Sequence, residues 1–195
     1  MTTRLLPDAI ADYQGRHPGI AFAVTVDGPE RLLTLLLQDA VDLIFTHSVI
    51  RDRAIEVLAS TAQPLCALVA PEHPLATRKS VRLHDCVAFP VAMPDETLAA
   101  RGFLDAALER ASITLDPAMV SNSVETIKIF ARTRHGVCFS FHIGHQPDVS
   151  GMVAIPLSDP VLADTRLEFA GRRGRVLPVA AAAFAEEVRA LFDTL

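Results

Sequence analysis

The chain has 195 residues, 50% of them apolar and 21% charged, with 18 basic against 23 acidic side chains and a formal charge of −5. That composition can bury a core and excludes a disordered tail, and its acidic balance speaks against a surface built to neutralise phosphates. The longest apolar run, Val179 to Ala185, is far short of the roughly 20 residues that a membrane span needs. With no signal-peptide pattern at Met1 either, no membrane and a cytoplasmic location are expected. Cys66, Cys86 and Cys138 are too widely spaced for a disulfide framework and read as small core hydrophobes.

In chain order, Leu5, Leu6, Ala9, Ile10 and Tyr13 recur at helical spacing, which predicts a helix over 5–16 stopped by Gly15, Pro18 and Gly19. Ile20 to Gly28 alternates and predicts a strand closed by Gly28-Pro29. Glu30–Ala40 reads as a leucine-rich helix, and Val41–Phe45 as a short strand buried on both faces. Leu65–Val69 is a strand ending at Pro71, Cys86–Ala92 a strand broken by Pro90, and Leu98–Ala111 a helix. Asn122 and Glu125 have capping-box spacing at the start of a further helix, and Gly136 stands where a C′ residue belongs. Val137–Phe141 and Leu167–Ala170 read as strands, and Pro178–Leu195 as a closing helix opened by proline. This alternation specifies an α/β protein with mostly parallel sheets. The stretches Pro71–Pro74 and Gln146–Gly151 divide it into two lobes, 1–70 with 152–195 and 71–151.

Motifs that carry chemistry are sparse. There is no G-x-S-x-G, no G-x-G-x-x-G and no phosphate loop, so no catalytic residue and no cofactor stand out. Cys138, His142 and His145 form C-x3-H-x2-H without a fourth ligand, which favours a core cysteine with two cleft or surface histidines over a metal site. Arg172, Arg173 and Arg175 lie in a loop of a net-acidic chain, where solvated charge is the expectation.

Five blocks in order carry a resemblance: Leu5-Leu6-Pro7 with Tyr13 and Arg16-His17-Pro18-Gly19-Ile20; Leu35 to Ile44; Pro64-Leu65 with Val69 to Ala76; Asn122 to Phe139; and Arg172-Arg173 through Phe184. Together they resemble the effector-binding domain of LysR-type transcriptional regulators over essentially the whole chain. The resemblance implies two Rossmann-like lobes of the type 2 periplasmic-binding-protein kind, hinged twice, with a small-molecule effector in the cleft and no enzymatic activity. It implies a homodimer or higher homo-oligomer, and contact with DNA only through an N-terminal helix-turn-helix that residues 1–195 do not contain. The family's first strand and its hydroxyl-bearing turn would precede residue 1, leaving lobe I without that strand and Thr2 and Thr3 as the turn's remnant.

Within this frame Thr46, His47 and Ser48 follow a strand's C-terminal end, where ligands sit in open α/β sheets, with a plain surface loop as the alternative. Asn122, Ser123 and Val124 begin a helix whose free N–H groups suit an anion, unless Asn122 and Ser123 only cap it. Thr97 repeats that arrangement one helix earlier, with Asp95 as a competing cap. His142 ends a strand, and Pro29, Val124 and Phe141 are candidate apolar walls. The expected ligand is a small molecule, carboxylates among the candidates. The other reading of the same architecture is a free-standing solute-binding protein.

Overall fold

The computed structural model describes residues 5–47, 52–142 and 151–194. Thr2, Thr3, Ser48 and His145 therefore lie outside the described residues. The chain divides into two compact units, Met1–Thr61 with Arg166–Leu195, and Ala62–Thr165. The crossings thus fall before the proline-rich stretch and after the Gln146–Gly151 stretch that suggested them.

The first unit holds α1 (Leu5–Arg16), α2 (Pro29–Leu37), β1 (Leu43–Thr46), β2 (Ile55–Ala62), β8 (Arg166–Arg172) and α6 (Val179–Phe192). Its sheet has the order β1-β8-β2, with β1 antiparallel to β8 and Phe45 opposite Phe169. Tyr13, Phe169, Phe184, Val188 and Phe192 form the core. There Tyr13 meets Phe184 edge-on at 5.4 Å, and its hydroxyl donates to the Ala180 carbonyl at 3.2 Å. The strand expected over Ile20–Gly28 is absent. Ile20 and Phe22 do pack inward, but no strand is present over those residues. Alternation supplies a face, not a hydrogen-bonding partner.

The second unit holds β3 (Leu65–Val69), α3 (Leu83–Cys86), β4 (Val91–Pro94), α4 (Ala99–Ala111), β5 (Met119–Ser121), α5 (Val124–Thr133), β6 (Val137–Phe141) and β7 (Val153–Pro156). The sheet order is β5-β4-β6-β3-β7. Side chains alternate across it: Val91, Met93, Val137 and Phe139 join Leu104 and Ala107 of α4 on one face. Ala92 and Cys138 join Ile127 and Ala131 of α5 on the other. β3 is buried at every position, as its unbroken apolar run requires.

Three expectations need correction. The β4 pairs with β5 and β6 are parallel, but β3 runs antiparallel to both β6 and β7, as β1 does to β8, so the sheets are not mostly parallel. Strand–helix alternation constrains the direction of strands that are consecutive in the chain, and these antiparallel neighbours are not. The run read as one strand over Cys86–Ala92 is the end of α3, a turn, and the start of β4. Residues 65–69, assigned by sequence to the first lobe, pair only within the second unit's sheet. Both crossings are tied inside that unit, where the Gln63 N–H donates to the Thr165 carbonyl at 2.9 Å and the Thr165 hydroxyl to the Gln63 carbonyl at 2.8 Å.

The C-terminus of α5 explains Gly136 differently from its sequence position. His135, not Gly136, takes the left-handed conformation, with φ 49°. The Gly136 N–H closes the helix on the Ala131 carbonyl at 2.8 Å, the six-to-one bond of a Schellman end. Glycine is needed because a Cβ there would lie 2.2 Å from the Pro90 carbonyl oxygen.

Candidate functional site

In the second unit, three parallel strands end together. Pro94 of β4 is in register with Ser121 of β5, and the Asp95 N–H donates to the Ser121 carbonyl at 3.0 Å. β6, parallel to β4 on its other side, ends at Phe141, followed by His142, whose N–H bonds the Pro64 carbonyl at 3.2 Å. Carboxyl ends of parallel strands, each leading into a loop or helix start, are where open α/β sheets present binding groups.

The α5 N-terminus stands at this edge. Its cap is Ser123 and not Asn122: the Ser123 hydroxyl oxygen accepts from the Thr126 N–H at 3.3 Å, and the Ser121 hydroxyl accepts from the Ser123 N–H at 3.1 Å. Asn122 is exposed and outside the cap. The amides of Val124 and Glu125 have no acceptor among the described residues, so one cap leaves two donors pointing out of the helix start, at the positive end of its dipole.

Thr97 does not share that arrangement. Its N–H and hydroxyl both donate to Asp95 Oδ1, at 3.0 and 2.7 Å, in a turn before α4, whose cap position is Leu98. Asp95 closes the turn as a competing cap would, and the Thr97 hydroxyl proton is committed to it. Phe141 is buried and meets Phe103 edge-on at 5.6 Å, so most of the ring serves the core and not an open wall. Sequence reasoning passed over Ser121, whose hydroxyl positions the cap, and Arg101, whose guanidinium donates to the Pro94 carbonyl at 3.2 Å and pairs with Asp105. The Ser121-x-Ser123 spacing is the signal for the first; Arg101, in the first turn of α4, has none that sets it apart.

In the first unit, Thr46 ends β1 opposite Glu168 and is 3% exposed, while His47 follows it half-buried. Pro29 is the first helical residue of α2, half-buried, behind Gly28, which supplies no side-chain cap. At the entry to β1, Arg172 and Arg175 enter an ion network, while Arg173 stays exposed. Arg172 pairs with Asp39 at 2.9 Å, and Arg175 with Asp39 at 3.2 Å and Asp42 at 2.8 Å. Arg173 donates to the carbonyls of Arg53 and Ile55.

Cys138 is buried in the β6 core, and among the described residues no group of three His, Cys, Asp or Glu side chains is placed to hold a metal. Burial pushes the thiols of Cys66 and Cys86 up to about 12, which leaves neither available as a nucleophile at neutral pH. Among the described residues no helix is long and apolar enough to cross a membrane.

Comparison with known proteins gives the family and the fold. The LysR substrate binding domain family matches residues 1–193. The HTH-type transcriptional regulator CysB of Burkholderia cenocepacia is 25% identical over 78% of this chain and 49% of its own length. The RuBisCO operon transcriptional regulator of Allochromatium vinosum is 27% identical over 93% of this chain and 61% of its own. Among solved structures, the effector-binding domain of QuiR in complex with shikimate superposes with a TM-score of 0.78 at 18% identity, covering 98% of this chain and 91% of that one. The BenM effector-binding domain with its effector benzoate gives 0.72 at 20% identity, covering 97% and 86%.

Proposed function

The chain belongs to the LysR substrate binding domain family, a family of binding modules and not of enzymes, and from that premise we propose that it senses a small carboxylic acid. The observation that carries this reading is the α5 N-terminus, where the Val124 and Glu125 amides lack protein acceptors at the end of three parallel strands. Two convergent N–H groups at the positive end of a helix dipole suit a carboxylate without requiring an arginine. The carboxylates named with two superposing structures, shikimate and benzoate, support the ligand class. We also propose polar roles in ligand binding for Thr46, His47 and Ser48, and apolar ones for Pro29 and Val124. We assign Asn122, which precedes the α5 cap, and His142, which follows β6, to the same binding role. The signal then passes to DNA through a part of the regulator other than these residues. We further propose self-association, as the family membership implies.

Calorimetry with a panel of aromatic and alicyclic acids at two pH values tests the reading. Ser123→Asp places a carboxylate over the Val124 and Glu125 amides and is expected to abolish acid binding. His47→Ala should weaken acid binding if the imidazole donates to the ligand. Full affinity in the double variant would place the site elsewhere.

A further inference from the structure

The effector reading makes no use of His73, which alone among the described histidines is buried, at 3% exposed. It sits in the turn that follows β3, where its N–H donates to the Ala70 carbonyl at 3.0 Å and its carbonyl accepts from the Ala76 N–H at 2.9 Å. Its ring closes the same turn from within: Nδ1 accepts from the Leu75 N–H at 3.1 Å, and Leu75 belongs to the core of the second unit. The ring lies against Phe89, in the turn before β4, with centroids 4.3 Å apart. Nε2 is buried without a hydrogen-bond partner among the described residues. The turn after α5 reaches the ring too, since the side chain and backbone of His135 both act on it electrostatically.

Accepting at Nδ1 places the proton of the neutral ring on Nε2. A second proton can go only to Nδ1, which would then turn a donor towards the Leu75 N–H inside a buried turn. Burial opposes the imidazolium most, and the His135 charge adds to it. The His135 backbone pulls the other way, and the balance holds this histidine below its ordinary value of 6.5. Glu72 and Arg134, the other charged groups on the segments that meet the ring, are exposed, and the turn 87–90 carries none. Arg78 and Asp85, the next charges along, pair with each other at 3.3 Å. We propose that His73 is an acid-sensitive latch. The neutral ring pins the 70–76 turn to Phe89 and the core; the protonated ring leaves its place, and the turn opens. Because the closed turn depresses the group, opening gains as pH falls from 6.5 to the closed-state value and levels off below it.

The test is nitrogen-15 NMR of the histidine rings in the full chain, together with exchange of the Leu75 amide, corrected for the intrinsic pH dependence of exchange. At neutral pH the His73 ring is expected to carry its proton on Nε2, and its midpoint to lie below that of His84, which is exposed on α3. Protection of Leu75 should fall through that midpoint while the β3 amides keep theirs. His73→Asn replaces Nδ1 by an amide oxygen that accepts but does not titrate, and Leu75 protection should then stay level over the same range. A proton on Nδ1, or a midpoint at or above that of His84, overturns the proposal. Leu75 protection that holds through the midpoint also overturns it, because the ring is then protonated in place, as does a fall that persists undiminished in His73→Asn. Should that variant fail to fold by far-UV dichroism, the wild-type tautomer, midpoint and Leu75 protection decide.

Discussion

Replacing Gly136 with alanine isolates one contact whose size can be worked from the structure. The new Cβ would lie 2.2 Å from the Pro90 oxygen, 3.2 Å from its carbonyl carbon and 3.3 Å from its Cβ, where real Cβ atoms essentially never come closer than 3.0 Å. Relief requires the Pro90 carbonyl to retreat by 3.0 − 2.2, or 0.8 Å. The same oxygen accepts the Val137 N–H at 2.9 Å, where β4 and β6 begin to pair, so that retreat stretches the bond past useful length. One lost hydrogen bond of about 1 kcal/mol and overpacking of about 1–3 kcal/mol sum to about 2–4 kcal/mol, a large share of a stability of about 5–15 kcal/mol. The chain has no tryptophan and one tyrosine, Tyr13, which belongs to the other unit. Far-UV dichroism in denaturant, with exchange of the Val137–Phe141 amides, is therefore the assay. Gly102→Ala is the control: nothing lies within 4 Å of that Cβ, and alanine inside α4 should stabilise by about 0.5–1 kcal/mol. A loss below about 0.5 kcal/mol in Gly136→Ala would refute the steric account.

Two other expectations follow from side-chain chemistry. All three cysteines are buried, with Cys66 and Cys86 held near 12, so a thiol reagent at mildly alkaline pH should label none in the folded chain and all three in guanidinium; rapid labelling of the native protein would contradict the packing of β3 and α3. The Glu187 carboxyl is held below its ordinary range, first by its hydrogen bonds from Arg16 and then by that charge. Because the folded state depresses this group, the pair's stabilisation is present above the ordinary carboxylate range and is lost as pH falls through the folded value. The stability gap between wild type and Glu187→Gln should therefore close on acidification, and a gap independent of pH would mean that the α1–α6 contact is not ionic.

The elements legible in the sequence were those whose pattern and boundary signals coincided. α1 ends at Arg16, just ahead of Pro18 and Gly19, and β3 and β6 are buried runs bounded by proline or glycine. β5 and β7 escaped because three or four residues hold too little periodicity to register, and β2 because most of its positions are only partly buried or exposed. Cys86–Ala92 misled because the apolar residues closing α3 and opening β4 read as one run across Pro90. Thr46 ends β1, and His142 follows the end of β6, at the strand ends where the sequence reading put them. The cap, however, shifted from Asn122 to Ser123 because the choice rests on the Ser121 hydroxyl, a partner that only the β5–β4 register brings there.

The order of the chain through its two units bears on how it is made. One unit is a single continuous stretch, Ala62–Thr165, while the other joins the first residues to the last. As the polypeptide leaves the ribosome, the inserted unit has its whole sequence while the outer unit still lacks β8, the middle strand of its sheet, and α6. Tyr13 and Phe22 must wait for Phe169, Phe184 and Phe192 before their core can close. During that interval the apolar face of α1 lacks its β8 and α6 partners. The nascent outer unit, and not the inserted one, is accordingly the part whose core stays open longest during translation.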